Sequence, residues 1–292
     1  MSGATPPWLR AAPFIFVCLW SGGFTAVRLS LDFMEPLTVQ VLRYGIIVAV
    51  LGPLALLLRL RLPGRATLRA LATMGVLVQF IYFAGCNIAQ GLGLTASALA
   101  LFIALNPILV GLLSPWLAGE RVDGRRWLGL ALGLAGCATV ILAGGAMRVA
   151  GLAGLLAALV ALAAMTGGTL YEKRHGRPCH PVMANLVQHG VGLAFTLPLA
   201  MATETMQVRW DWGIVGPMAY LVLSNSLIAT SLLLAMIRHG EAARVSALFF
   251  VVPPLASVIA WVVLGQAMPP IAWAGTVLAA GGVALANARA RG

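Results

Sequence analysis

Residues 8–31 read WLRAAPFIFVCLWSGGFTAVRLSL, an apolar run whose only charges, Arg10 and Arg28, lie near its ends. At about 1.5 Å per residue, a helix of this length crosses the ~30 Å hydrocarbon core of a bilayer. The run is too long for the apolar region of a cleaved leader, and further runs of the same kind follow it. Nine more stretches meet the same length criterion, so the expected spans are 8–30, 36–58, 68–90, 95–118, 126–145, 149–171, 181–201, 213–237, 242–264 and 269–288. The links between them are short. This predicts one bundle, with no soluble segment long enough to hold a separate active site.

Composition extends that reading to the whole chain. Of 292 residues, 61% are hydrophobic and 9% charged, against a usual charged share of about 25% in soluble domains. Too few polar side chains exist to face water over most of the surface, so lipid is the expected solvent. Soluble enzymes, secreted disulfide scaffolds and disordered chains are excluded on this ground. The net charge of +11 does not indicate nucleic acid, because the basic residues sit in short clusters between apolar runs. The four cysteines form no C-x-x-C pair. His175, Cys179 and His180 share one loop but lack a fourth ligand at zinc spacing, so neither a metal nor a cofactor is expected.

Lysine and arginine set the expected orientation. With the N-terminus in the cytoplasm, fifteen of the 19 basic residues fall in inside loops and tails. Arg28, Arg148 and Arg209 fall outside, and Arg43 lies within the second span. Both termini are then cytoplasmic in a multi-pass protein of the cell inner membrane.

The second half of the chain echoes the first. Ser21-Gly22-Gly23 recurs as Thr166-Gly167-Gly168, Pro36 as Pro181, and Pro53-Leu54-Ala55 as Pro198-Leu199-Ala200. Pro107 recurs as Pro253, and Gly129 and Gly136 as Gly275 and Gly282. The offset is 145 residues early and 146 later. Each half holds five spans. Five is odd, so the second copy enters the membrane from the opposite side. The expected fold is an all-α membrane protein of ten transmembrane helices arranged as two inverted five-helix repeats, 8–145 and 149–288. Such repeats place a substrate site near the midplane between them.

Several motifs together resemble one family, the ten-span EamA-type exporters of the drug/metabolite transporter superfamily. In the first copy they are Leu19-Trp20-Ser21-Gly22-Gly23-Phe24, Leu42-Arg43-Tyr44, Ala96-Ser97-Ala98, Asn106-Pro107, Gly119-Glu120-Arg121 and Trp127-Leu128-Gly129. In the second they are Pro253, Leu264-Gly265-Gln266 and the stretch from Gly275 to Gly282. The likeness covers nearly the whole chain. Gln266 stands where the first copy has Glu120, so any role of that acid is not symmetric. The resemblance implies an inner-membrane exporter of amino acids, aromatic ones among them, or of drugs and other small metabolites, working by alternating access.

Polar side chains inside spans mark where a pathway runs, because facing lipid is costly for them. Arg43 reads either as an anchor for a substrate carboxylate or as a cation tying helices together. Gln40, Arg43 and Tyr44 share one helical face. The offset maps them onto Asn185, Gln188 and His189. Gln79, Tyr82, Cys86, Asn87 and Gln90 form a stripe on the third span, and Gln79 maps onto Asn225. Trp20 is the one tryptophan far from an expected interface. It stands beside Gly22 and Gly23 either as a stacking surface for substrate or as packing, with Tyr82 and Phe83 completing an apolar wall. The expected substrate contacts are therefore Trp20, Arg43, Gln79, Tyr82, Phe83, Gln188, His189 and Asn225. Gly22, Gly23, Pro107, Gly167, Gly168 and Pro253 are the expected points of movement. His189 is either a proton carrier or a hydrogen-bonded core residue.

The stripes of small residues Gly129, Gly133 and Gly136, and Gly275, Ala279 and Gly282, allow close helix approach within the bundle or a dimer contact. Expected partners are a small-molecule substrate and membrane lipid, with no nucleic acid, for a monomer or weak homodimer. A multidrug exporter of cationic compounds, a membrane-embedded enzyme and a passive channel are the competing readings. No nucleophile, metal-ligand set or acid pair at the membrane surface supports the enzyme.

Overall fold

The computed structural model describes residues 7–118, 124–143, 146–238, 251–265 and 269–287. Among these, all regular structure is helical apart from one isolated antiparallel bridge, Met34 to Val208. The helices are α1 (Pro7–Ser30), α2 (Pro36–Leu57), α3 (Arg65–Gly91), α4 (Ala96–Ile103), α5 (Asn106–Ala118), α6 (Gly124–Ala143), α7 (Ala146–His175) and α8 (Pro181–Thr203). α9 is built of consecutive segments Trp212–Ala219, Tyr220–Ala229 and Thr230–Arg238, and α10 (Val252–Leu264) and α11 (Pro270–Asn287) follow. α4 and α5 form one span, interrupted at Ala104 and Leu105. At the start of α7 the chain turns at Gly151, whose φ of 61° only glycine adopts without strain. Gly119-Glu120-Arg121 and Gln266 lie outside the described residues.

Among the described residues seven helical stretches are long and apolar enough to cross a bilayer, and α6 and α10 contain shorter apolar stretches. Leu56, Leu57, Leu152, Trp212, Val262 and Val277 are largely exposed. A surface like this is stable only against hydrocarbon, and the protein is a multi-pass membrane protein.

The inverted repeat appears in the packing. The pairings of α1 with α9 and α10 of the second half are answered by those of α7 with α3, α4 and α5 of the first. Three pairings map onto themselves under the same exchange: α2 with α8, α4 with α10, and α6 with α11. A two-fold relation between five-span halves requires this pattern. Among the described residues α6 and α11 make the most extensive helix–helix contact. There a Cβ on Gly136 would strike the backbone of Gly275 and Ala279, and one on Gly282 the backbone of Gly129 and Gly133. The two small-residue stripes therefore face each other within one chain, which accounts for their spacing without a dimer.

One feature has no signal in apolar periodicity. α3 and α9 each contain a π-helical stretch, Gly75–Tyr82 and Tyr220–Ala229, at matched positions of the two halves. π winding shifts the backbone ladder by one residue; it is rare, and frequently found at functional sites. In each stretch the carbonyl at the matched position accepts a hydroxyl. Tyr44 Oη donates to the Gln79 carbonyl at 2.6 Å, and Thr230 Oγ1 to the Asn225 carbonyl at 3.3 Å.

Candidate functional site: a central pocket with one buried cation

Two pseudo-equivalent close approaches bring the helices of the site together. A Cβ on Gly23 of α1 would stand 2.5 Å from Asn225 Nδ2 on the π stretch of α9, and one on Gly22 would run into the Tyr220 ring. A Cβ on Gly168 of α7 would stand 2.7 Å from Val78 on the π stretch of α3. Glycine is thus required where α1 and α7 cross the π stretches of the opposite halves. Gly167 has open space beside it and no such requirement. Pro107 and Pro253 do not kink a continuous helix. Each stands in the first turn of a helix, α5 and α10, where proline is tolerated because its missing donor would be unpaired there. The interruption of the fourth span lies just before Pro107, at Ala104 and Leu105.

Between α1, α2, α3 and α9 lies a narrow pocket with a cavity volume of about 20 Å³, room for about one water molecule. Arg43 enters from α2, fully buried. Its Nε donates to Ser226 Oγ and its Nη2 to Asn225 Oδ1, both at 2.7 Å. Its Nη1 has no partner. Both partners are neutral, and among the described residues no carboxylate pairs with the guanidinium. The guanidinium carbon lies 4.5 Å from the centre of the Phe83 ring, a cation–π contact.

Trp20, Phe24, Tyr82 and Phe83 make the apolar wall. Trp20 is buried and packs on Phe16 and Phe83, with ring centres 5.2 and 6.1 Å away. Five of the eight expected contact residues therefore line one space: Trp20, Arg43, Tyr82, Phe83 and Asn225. The other three do not line it and sit around the α2–α8 packing. Gln79 is held by the Tyr44 hydroxyl, which Gln40 also supplies with a hydrogen bond at 2.7 Å. His189 meets the edge of Tyr44, and its Nδ1 lies 2.9 Å from the Asn185 carbonyl. Gln188 is buried with an unpartnered Nε2.

The pocket also contains Asn87 and Gln90, which belong to the polar stripe on α3 but were not expected as contacts. Their i, i+3 spacing from one another was the available signal. Phe24, Val27 and Leu221 also line the pocket and carry no such signal.

Gln90 continues into a wider vestibule of about 440 Å³ bounded by Arg28, Asp32, Glu35, Gly93, Thr205 and Gln207. A reciprocal clasp closes over α2 and α8 on this face. Glu204 at the end of α8 accepts from the Leu37 and Thr38 N–H groups and the Thr38 hydroxyl, each at 2.7 Å. Glu35 at the start of α2 accepts from the Thr205 and Met206 N–H groups and the Thr205 hydroxyl. A carboxylate at a helix N-terminus satisfies donors the helix leaves open and opposes its dipole favourably. The offset maps Glu35 and Glu204 onto His180 and Arg59, which have no carboxylate to repeat the clasp on the opposite face.

A model of the EamA-like transporter family matches the chain twice, over residues 11–142 and 152–288. A Streptantibioticus cattleyicolor protein named "probable terminal-alkyne amino-acid exporter" is 28% identical over 284 residues, covering 94% of this chain and 92% of its own. An S-adenosylmethionine/S-adenosylhomocysteine transporter of Chlamydia trachomatis is 28% identical, over 88% of this chain and 82% of its own. A solved crystal structure superposes with a TM-score of 0.67 at 21% identity, covering 97% of both chains, and so shares the fold.

Proposed function

The chain belongs to the EamA-like transporter family, and from that premise we propose that it exports small carboxylate-bearing metabolites, in the first place amino acids and aromatic ones among them, from the cytoplasm. It is a small-molecule transporter and not an enzyme. In this reading the two halves, 8–145 and 149–288, rock about the central pocket. Both termini are cytoplasmic in the inner membrane, and the vestibule beside the Glu35–Glu204 clasp is the outer exit.

The observation that carries the proposal is the unpaired Nη1 of Arg43 in a buried pocket. A buried charge without a counter-charge costs several kcal/mol, and its two hydrogen bonds go to neutral oxygens. A ligand carboxylate supplies what the protein leaves out. The aromatic wall suits a planar or apolar side chain. The cationic-drug reading loses ground on the same geometry. The pocket lining holds one full positive charge and no acid, and the face of Phe83 is already occupied by Arg43. The space is narrow, so a substrate enters only as the lining side chains and helices part, as alternating access requires. The amino-acid exporter named among the relatives adds support for the substrate class.

The test is counterflow in liposomes holding the purified protein, with radiolabelled amino acids and cationic drugs as separate panels. Saturable counterflow of an amino acid, competed by other carboxylates, is expected. Saturable counterflow of cations with none of amino acids overturns the carboxylate reading, and flux without saturation or counterflow points to a channel.

A further inference from the structure

Two buried amides in the pocket have oxygens that no group of the protein donates to. Asn87 is fully buried. Its Nδ2 donates to the Pro36 carbonyl at 3.1 Å, which fixes the amide and leaves Oδ1 with no donor. Gln90, one helical turn further along α3, is 4% exposed, and neither its Oε1 nor its Nε2 has a partner. Phe83, Cys86, Asn87 and Gln90 are spaced i, i+3, i+4 and i+7, so one face of α3 carries an aromatic surface and then two amides into the pocket. A buried amide oxygen without a donor is destabilising, and two on one pocket wall, across from an arginine with a free nitrogen, form a pattern.

Resting on the carboxylate reading above, we propose that the Asn87 and Gln90 amide oxygens form an ammonium subsite, so that the pocket selects the zwitterion of an α-amino acid over a simple carboxylate. The ligand carboxylate accepts from Arg43 of α2, its ammonium donates to the two oxygens on α3, and its side chain lies against Trp20, Phe24 and Tyr82. An ammonium has three donors and no acceptor, which matches oxygens lacking a donor.

The choice of neutral acceptors has an electrostatic reason. An aspartate or glutamate in the pocket would neutralise Arg43 and fill the site with an internal ion pair. Amides leave the cation free for the carboxylate and still receive the ammonium. The pocket's net charge of one positive then matches a zwitterion whose carboxylate is bound at short range, and disfavours a ligand that is only a cation. Gln90 lines both pocket and vestibule, so the ammonium end faces the vestibule.

The experiment compares binding of L-phenylalanine, 3-phenylpropionate and phenethylamine to the purified transporter. The parental protein should bind phenylalanine about tenfold or more tightly than phenylpropionate, the size expected for hydrogen bonds to a charged group, with phenethylamine weakest. Gln90→Met keeps the length of the side chain and removes its acceptor. It should weaken phenylalanine about tenfold, leave phenylpropionate unchanged, and bring the ratio toward one. Asn87→Leu should act the same way. A loss of packing alone would weaken both compounds together and leave the ratio intact, and that result in both variants overturns the subsite. Equal binding of phenylalanine and phenylpropionate by the parental protein overturns it without any variant and leaves the carboxylate reading standing. Binding of neither compound by the parental protein overturns the carboxylate reading and the subsite with it.

Discussion

Arg43 Nη2 donates to Asn225 Oδ1 at 2.7 Å, a bond between residues 182 positions apart that joins α2 of one half to the π stretch of α9 in the other. The Asn225 amide is itself braced, its Nδ2 donating to the Leu19 carbonyl at 3.4 Å. Asn225 therefore acts as a positioning residue. It holds the guanidinium in the pocket wall with Nη1 free, and it links that cation to α1 beside Gly23. Any rocking of one half against the other has to move the Arg43–Asn225 bond.

Arg43→Met separates function from stability. The change removes a buried charge with no counter-charge and replaces it with an apolar chain of similar length. Thermal unfolding in detergent should occur at the parental temperature or above it, because replacing buried ions by apolar groups is often neutral or stabilising. Binding of L-phenylalanine should fall by at least about tenfold, the loss of a charged hydrogen bond. Parental affinity in a folded variant removes Arg43 from the site.

Gly23→Ala and Gly167→Ala give opposite expectations from the same chemical change. At Gly23 the added methyl meets Asn225 and displaces the partner of Arg43, whereas Gly167 has open space. Transport should be largely lost in the first. The second should be at least as stable as the parent, by up to about 1 kcal/mol from helix propensity. Counterflow and melting temperature on both variants check the pair, and equal transport by the two contradicts the close approach at Gly23.

Trp20→Ala probes a side chain that is both packed and pocket-lining. Its contacts with Phe16 and Phe83 predict a loss on the order of 3 kcal/mol in stability. Its place in the wall predicts in addition a smaller preference for phenylalanine over leucine in competition. A lowered melting temperature with an unchanged competition profile assigns Trp20 to packing alone.

Pro107→Ala and Pro253→Ala address movement. Each proline opens a helix at matched positions of the two halves, α5 and α10. Alanine there allows the preceding segment to extend as helix and stiffens the span. Both variants should express normally and transport more slowly, read as initial counterflow rates. Parental rates in both remove the gating role.

The orientation is open to labelling. Cysteine introduced near Arg65 should be shielded from an impermeant maleimide in intact cells, and cysteine near Arg209, in the segment that pairs with Phe33, should be modified. The reverse pattern inverts the topology and makes the vestibule an inner entrance.

Reading along the chain was enough to establish lipid as the solvent, the ten spans and the doubling of five. Apolar length is a local property, and a constant offset between Pro36 and Pro181, or Gly23 and Gly168, is visible without any packing. It also singled out Arg43 and Trp20, because a charge or a lone tryptophan deep in an apolar run stands out by contrast. Which polar residues converge was decided only in three dimensions. A stripe fixes a helical face but not the neighbour that face meets, since that depends on the rotation and crossing of the other helices. Thus Gln79 and His189 turn to Tyr44, while Asn87 and Gln90 of the same α3 stripe reach the pocket. The π stretches, which change helical phase midway through α3 and α9, make that outcome unreadable from a regular periodicity. The reciprocal clasp of Glu35 and Glu204 likewise joins loops about 170 residues apart, and only the side-by-side packing of α2 and α8 brings their carboxylates to each other's backbone.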